Sequence, residues 1–273
     1  MNWSAHTGSV RGVAEAAADI ARRTVGAASW PEASEGTALL RSRFNVPSYG
    51  GHPIVREALM SAMLATLSGV DHALAWTRLL DDGSSAIAPS TVARGAIEGF
   101  ASAFYLLRAE DPEQFVSRHL AVTRAGMRFP QRHSRFQDFT GAILDNSELP
   151  VVHETIAQEL GLKLERPLIQ DMVQTMLSAG LEPGTDASPE IYSQLSGAAH
   201  AVTSALGMYF DRAAVRLAPQ AEILTEQAGY LFVATSVTTE SWIEVFDADD
   251  EMRRTWRAAR AAAERQLSKL ISH

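Results

Sequence analysis

The chain has 273 residues, 46% apolar and 21% charged, enough to bury a sizeable core as one large domain or two small ones. Its formal charge of −8 argues against a nucleic-acid partner unless a local basic patch overrides it. Cysteine is absent and Lys163 and Lys269 are the only lysines, which excludes thiolate chemistry and Cys-ligated metals and leaves little scope for a Schiff-base lysine or a lysine phosphate loop.

Arginine supplies the other 22 cations, and the Ala and Arg skew suits a high-GC bacterial genome. The opening "MNWSAHTGSVRG" has no apolar core of signal-peptide length. The uncharged windows Ala58–Val70 and Gln227–Thr239 are too short to span a bilayer, so a cytoplasmic, membrane-free protein is expected.

Helical spacing dominates from the first residues onward, and alternating strand patterns are scarce. Helices are expected at Gly8–Ala28 and Pro31–Arg43, with "FNVPSYGGHP" a loop by its Pro and Gly content. Ile54–Leu80 carries Leu59, Met63, Leu67, Val70 and Trp76 on one apolar face. After "DDGSSAIAP" a helix runs from about Ser90 to Arg108. Asp111-Pro112-Glu113 opens the next helix with an N-cap and a proline at the first helical position. Ser134 to Gln137 has the form of a capping box for a helix to about Leu144. Short helices follow at Val151–Leu160 and Leu168–Ala179, then the loop "LEPGTDASP".

Ser188-Pro189 repeats the capping logic and launches a helix expected to reach Val215. Pro219–Phe246 and Asp250–Ile271 are the last two helices. The final one starts acidic and continues basic, which suits the helix dipole, and its stripe of Met252, Trp256, Ala263, Leu267 and Leu270 calls for docking on the body or on a partner. The expected fold is all-α: an irregular bundle of about eight to ten helices in one domain, 1–273, with 1–45 as a candidate helical subdomain.

One segment stands out. From Ile191 to Phe210 there is no charged residue, yet Tyr192, Ser196 and His200 recur at every fourth position and so share a helix face. Such a segment is expected at the centre of the bundle, where its polar groups need partners. The best source is "APSTVARGAIEGFASAFYLL", in which Arg94 and Glu98 stand at i and i+4 of an otherwise apolar helix. Joined, the five residues form an inter-helix polar site. His200 and Glu98 are the candidate acid–base pair, with the carboxylate orienting the ring; Arg94, Tyr192 and Ser196 are candidates for binding an anionic or carbonyl-bearing ligand.

The patterns P-x4-R-x3-E (Pro89, Arg94, Glu98) and Y-x2-L-S-x3-H (Tyr192, Leu195, Ser196, His200) resemble those of a helical bacterial family of unknown function, common in actinomycetes and loosely akin to abortive-infection helical proteins. The resemblance covers roughly Ala86 to Phe210. It implies an all-α fold with those polar residues facing inward, and no established reaction.

Three readings of function follow. The first is a small-molecule pocket, extending to an acid–base enzyme that needs neither metal nor organic cofactor. The second is an interaction or scaffold protein with a structural polar core and a dimer through the last helix. The third is a helical ribonuclease using Arg128-x4-His133, with the arginine on phosphate and the histidine on the proton. No Glu-x-x-His or His-Glu-x-x-His is present, so a metal centre is not expected, and His153-Glu154 reads as a surface pair. "LLDDGSS" and "FDADDE" lack the full diphosphate-binding pattern and read as caps and turns.

Overall fold

The computed structural model describes residues 3–27, 29–48, 51–83, 85–126, 135–137, 143–145, 149–181 and 189–271. Helix starts and stops follow local chemistry. Helix α1 (Ser4–Gly26) needs no side-chain cap, whereas α2 (Glu35–Arg41) begins where Ser34 Oγ accepts from the Thr37 amide at 3.2 Å. Helix α3 (Ile54–Asp82) stops at Gly83, whose φ of 64° turns the chain out of the helix. Helix α4 (Ala88–Leu107) has Pro89 in its first turn, and α5 (Pro112–Gly126) is capped by Asp111, which accepts from the Gln114 amide at 2.8 Å.

A two-stranded hairpin, β1 (Arg135–Gln137) with β2 (Ile143–Asp145), stands where a helix from Ser134 to Leu144 was expected. The capping-box letters are present, but only short runs containing Phe136 and Ile143 follow, and these favour a pleated pair, with Phe136 opposite Leu144. Helices α6 (Leu149–Leu160) and α7 (Ile169–Gly180) match expectation.

The uncharged segment departs most. Helix α8 (Pro189–Ala199) ends sixteen residues short of Val215; α9 (Thr203–Gly207) and a minimal hairpin of β3 (Phe210–Asp211) and β4 (Arg216–Leu217) take its place. The stop is a Schellman turn, in which the Val202 amide donates to Gly197 O at 2.9 Å and the Ala201 amide to Ala198 O at 3.2 Å. Its left-handed position is held by Ala201, φ 54°, where glycine is the usual occupant. Ala201→Gly should therefore raise unfolding free energy by about 0.5–1 kcal/mol in urea melts; a loss of stability would contradict strain at this residue.

Helices α10 (Ala221–Val245) and α11 (Asp250–Ile271) complete eleven helices among the described residues. The central layer is α3, α4 and α10. Helices α3 and α4 run antiparallel and cross so closely that a Cβ on Gly99 would lie 2.7 Å from Gly69 N. Toward the C-terminal half of α3 and the N-terminal half of α10, this layer meets α1, α7 and α8 around Trp76, Phe100 and Leu231, all buried. Toward its other end it meets α1, α5, α6 and α11 around Leu59, Phe115 and Trp242. Trp242 Nε1 donates to Thr66 Oγ1 at 3.0 Å, tying α10 to α3.

Helix α1 is part of this body rather than a separate N-terminal unit. It runs antiparallel to α11, with Gly8 near Gln266 and Arg23 paired with Glu251. The expected α11 stripe, including buried Trp256 and Ala263, is packed into the core. Among the described residues α3 alone has the length and apolarity of a membrane span; its apolar positions pack against α1 and α4. The Asp-rich ends act as caps and pairs: Asp81 meets Arg11 at 2.7 Å, and Asp249 accepts from the Met252 amide at 2.8 Å.

Candidate functional site

Helix α4 presents Arg94 and Glu98 one turn apart, and α8 packs across them with Tyr192 and His200 two turns apart. Arg94 is the hub. Its Nε donates to Glu98 Oε1 at 2.7 Å, Nη2 to the Tyr192 hydroxyl at 3.3 Å and Nη1 to His200 Nε2 at 2.9 Å. Tyr192 donates in turn to Glu98 Oε1 at 2.6 Å, and the guanidinium lies 5.4 Å from its ring centre. Burial works against the Arg94 charge, but the carboxylate beside it prevails and holds its pKa above the ordinary value. The Tyr192 phenol is pushed up by burial and by its bond to Glu98.

Four of the five expected site residues thus form one hydrogen-bonded cluster. Ser196, on the same face of α8, lines the adjoining cleft instead. Two expectations need correction. The polar helix is not at the centre of the bundle: it lies on the flank of α4, and His200 is solvent-exposed at the helix end. Nor does a carboxylate orient His200. Arg94 stands between Glu98 and the ring, and because a guanidinium only donates, Nε2 must be the acceptor.

The cleft holds about 660 Å³ and opens between α7, α8 and the segment 202–208. Tyr192, Ser196 and His200 form its α8 wall; Gln170, Val173, Gln174 and Leu177 form the α7 wall. Arg94 and Glu98 are behind Tyr192 and His200 and do not line it. Among the described residues no Asp, Glu, Lys or Arg does. At the rim, Val202 and Met208 are exposed apolar side chains.

A second network, unforeseen from the sequence, fixes the far side. Trp76 Nε1 donates to Gln227 Oε1 at 2.9 Å, Gln227 Nε2 donates to Ser90 Oγ at 2.6 Å, and Ser90 shares a hydrogen bond with the Tyr209 hydroxyl. All four side chains are fully buried, and Tyr209 anchors the chain directly after the cleft wall. The available signal was an amide, Gln227, in phase with Leu224, Ala228 and Leu231.

A third group was also missed. Glu57 on α3, His119 on α5 and His153 on α6 meet in the second core region, so His153 is buried and not half of a surface pair. Its neighbour Glu154 pairs outward with Arg124 at 2.8 Å. Burial pushes the Glu57 carboxyl up, but hydrogen bonds from the two imidazoles outweigh it and hold it well below the usual carboxylate range. His119 is pushed down by burial against the pull of Glu57. Each of the three sits among apolar neighbours on its helix, as His119 does beside Phe115, Val116 and Leu120, and that placement is the signal.

No protein-family model matches the chain, and no curated protein or solved structure does. Arg128 and His133 lie outside the described residues.

Proposed function

We propose that the cleft between α7 and α8 binds a small, uncharged, carbonyl- or amide-bearing molecule with an apolar part. The observation that carries this reading is the lining: glutamine, serine, tyrosine and histidine groups beside Val173, Leu177 and Met208, with no formal charge among the described residues. A half-open cleft of this size, lined by apolar side chains with a few hydrogen-bonding groups, has the proportions of a small-molecule site. An anionic ligand, the other sequence expectation, is less suited, because Arg94 already meets Glu98 and lies behind the wall.

Arg94 and Glu98 are positioning residues in this reading. They hold Tyr192 and His200 at fixed orientation, and the ligand meets Ser196, Tyr192 and the ring of His200. Binding is favoured over acid–base chemistry, since Nε2 of His200 is engaged by a cation and touches no carboxylate. A cytoplasmic setting, a bacterial source and the resemblance to the actinomycete-type helical family belong to the same proposal. A dimer through α11 would use its Arg- and Glu-rich outer face, because Trp256 and Ala263 are spent on the body.

Ligand-observed NMR with phenylacetamide and phenylacetate tests this reading, since the two share a skeleton and differ in charge. The amide is expected to bind more tightly than the carboxylate, and Ser196→Val and His200→Leu each to weaken it about tenfold, the worth of one good hydrogen bond. Amide binding that is absent, or unchanged in both variants while only the melting temperature falls, would leave the cluster a purely structural clasp.

A further inference from the structure

We propose that Glu57, His119 and His153 form a binding site for a first-row divalent cation, zinc being the natural occupant, which joins α3, α5 and α6. This site is remote from the cleft reading and independent of it. The donor set is two imidazoles and one carboxylate, contributed by three different helices, with donor atoms all within 4.8 Å of one another. Both ring contacts fall on one oxygen, His153 Nε2 at 2.8 Å and His119 Nε2 at 3.2 Å from Glu57 Oε1. A tetrahedral zinc ion with bonds of about 2.0–2.1 Å sets its ligand atoms roughly 3.3 Å apart. Both Nε2–Oε1 distances are within about half an ångström of that separation, so the side chains already converge on one point.

The shell behind the ligands also fits. Thr123 Oγ1 donates to the His119 carbonyl at 2.9 Å, so its lone pairs face His119 Nδ1, 3.5 Å away. Without a metal, each ring donates its Nε2–H to Glu57 Oε1; a cation takes the place of these two protons, which move to Nδ1, and Thr123 Oγ1 stands where it can accept that of His119. Nδ1 of His153 is buried and has no hydrogen-bond partner among the described residues, so that ring keeps its proton on Nε2 toward Glu57 until a cation replaces it. The histidines are buried, whereas the Glu57 side chain is 18% exposed, which gives the ion a route in and a water to complete its coordination.

A site of this composition accepts zinc, cobalt(II) or iron(II), with geometry and supply deciding among them. Calcium and magnesium, which take oxygen donors, are excluded by the two imidazoles.

The test uses the full chain freed of metal with a chelator and titrated with zinc or cobalt(II) chloride. One ion per chain is expected, with micromolar or tighter affinity, a higher melting temperature with zinc and visible d–d absorption with cobalt. His153→Gln and Glu57→Gln should each weaken binding at least about a hundredfold, and Thr123→Val about tenfold. His72→Gln, at a half-buried histidine about four turns along α3, should bind as the parent does. Should either ligand variant fail to fold, imidazole nitrogen NMR of the parent chain decides the matter, because zinc must move both Nε2 resonances to ligated positions. Unchanged nitrogen resonances, no uptake of either ion, or equal uptake by a folded His153→Gln chain would each overturn the site.

Discussion

Gly99→Ala is expected to cost about 2–3 kcal/mol of unfolding free energy, a large loss for one added methyl group. The new Cβ would meet Gly69 N at 2.7 Å, Gly69 Cα at 2.9 Å and the Ala65 carbonyl at 3.0 Å. These are backbone atoms of α3, so no rotamer change relieves the contact and the two helices must separate. Separation loosens the most extensive helix pair in the fold, at the crossing on which Phe100 packs. Gly12→Ala supplies the opposite sign. A Cβ there meets nothing within 4 Å, and helix propensity alone should add about 0.5–1 kcal/mol. Urea melts with an unchanged slope check both, and equal effects at Gly99 and Gly12 would refute the close crossing.

Gln227→Leu is the second large expected loss, about 2–3 kcal/mol. The leucine fills the space but strands the Trp76 indole N–H in a fully buried position, where an unpaired donor costs about 1–3 kcal/mol. Ser90 loses its donor as well and keeps only Tyr209. Because Tyr209 holds the chain beyond α9, the same variant should weaken amide binding in the cleft, although position 227 does not line it. Trp76 fluorescence during urea melts, combined with the NMR titration, measures both consequences. A stability change below about 0.5 kcal/mol would mean that water reaches the indole.

Most helices were legible because their ends carry local chemistry. Asp111-Pro112, Asp249 and Gly83 mark starts and stops that need no tertiary information. The i and i+4 spacing likewise sufficed to put Arg94 beside Glu98 and Tyr192 in phase with Ser196 and His200. Pairing the two helices was an inference from buried polarity, and the hydrogen bonds from Arg94 to Tyr192 and His200 agree with it. What the spacing could not reveal was that Arg94 stands between His200 and Glu98, where a direct carboxylate–imidazole contact was expected.

The break after Ala199 was hidden for a different reason. A left-handed helix stop is read from Gly or Asn, and Ala201 supplies neither. Its conformation is held by packing on the far side, where a Cβ added to Gly197 would already crowd Ala205. His119 and His153 were passed over because they lie far apart in the chain and match no local ligand motif. Only the fold brings them to Glu57.

The pairing of α1 with α10 and α11 has a consequence for how the protein is made. Roughly 200 residues of chain separate α1 from its partners, so at about 5–20 residues per second the ribosome needs on the order of ten to forty seconds to supply them. Through that interval α1 can pack on α3, but the part of its surface that α10 and α11 finally cover stays open. The nascent chain can close α1 and the α3–α4 hairpin early, but the first helix is fully covered only by the last. That makes α1 the natural holding point for a chaperone during synthesis, and the α1–α11 seam the natural place for the finished protein to begin to open.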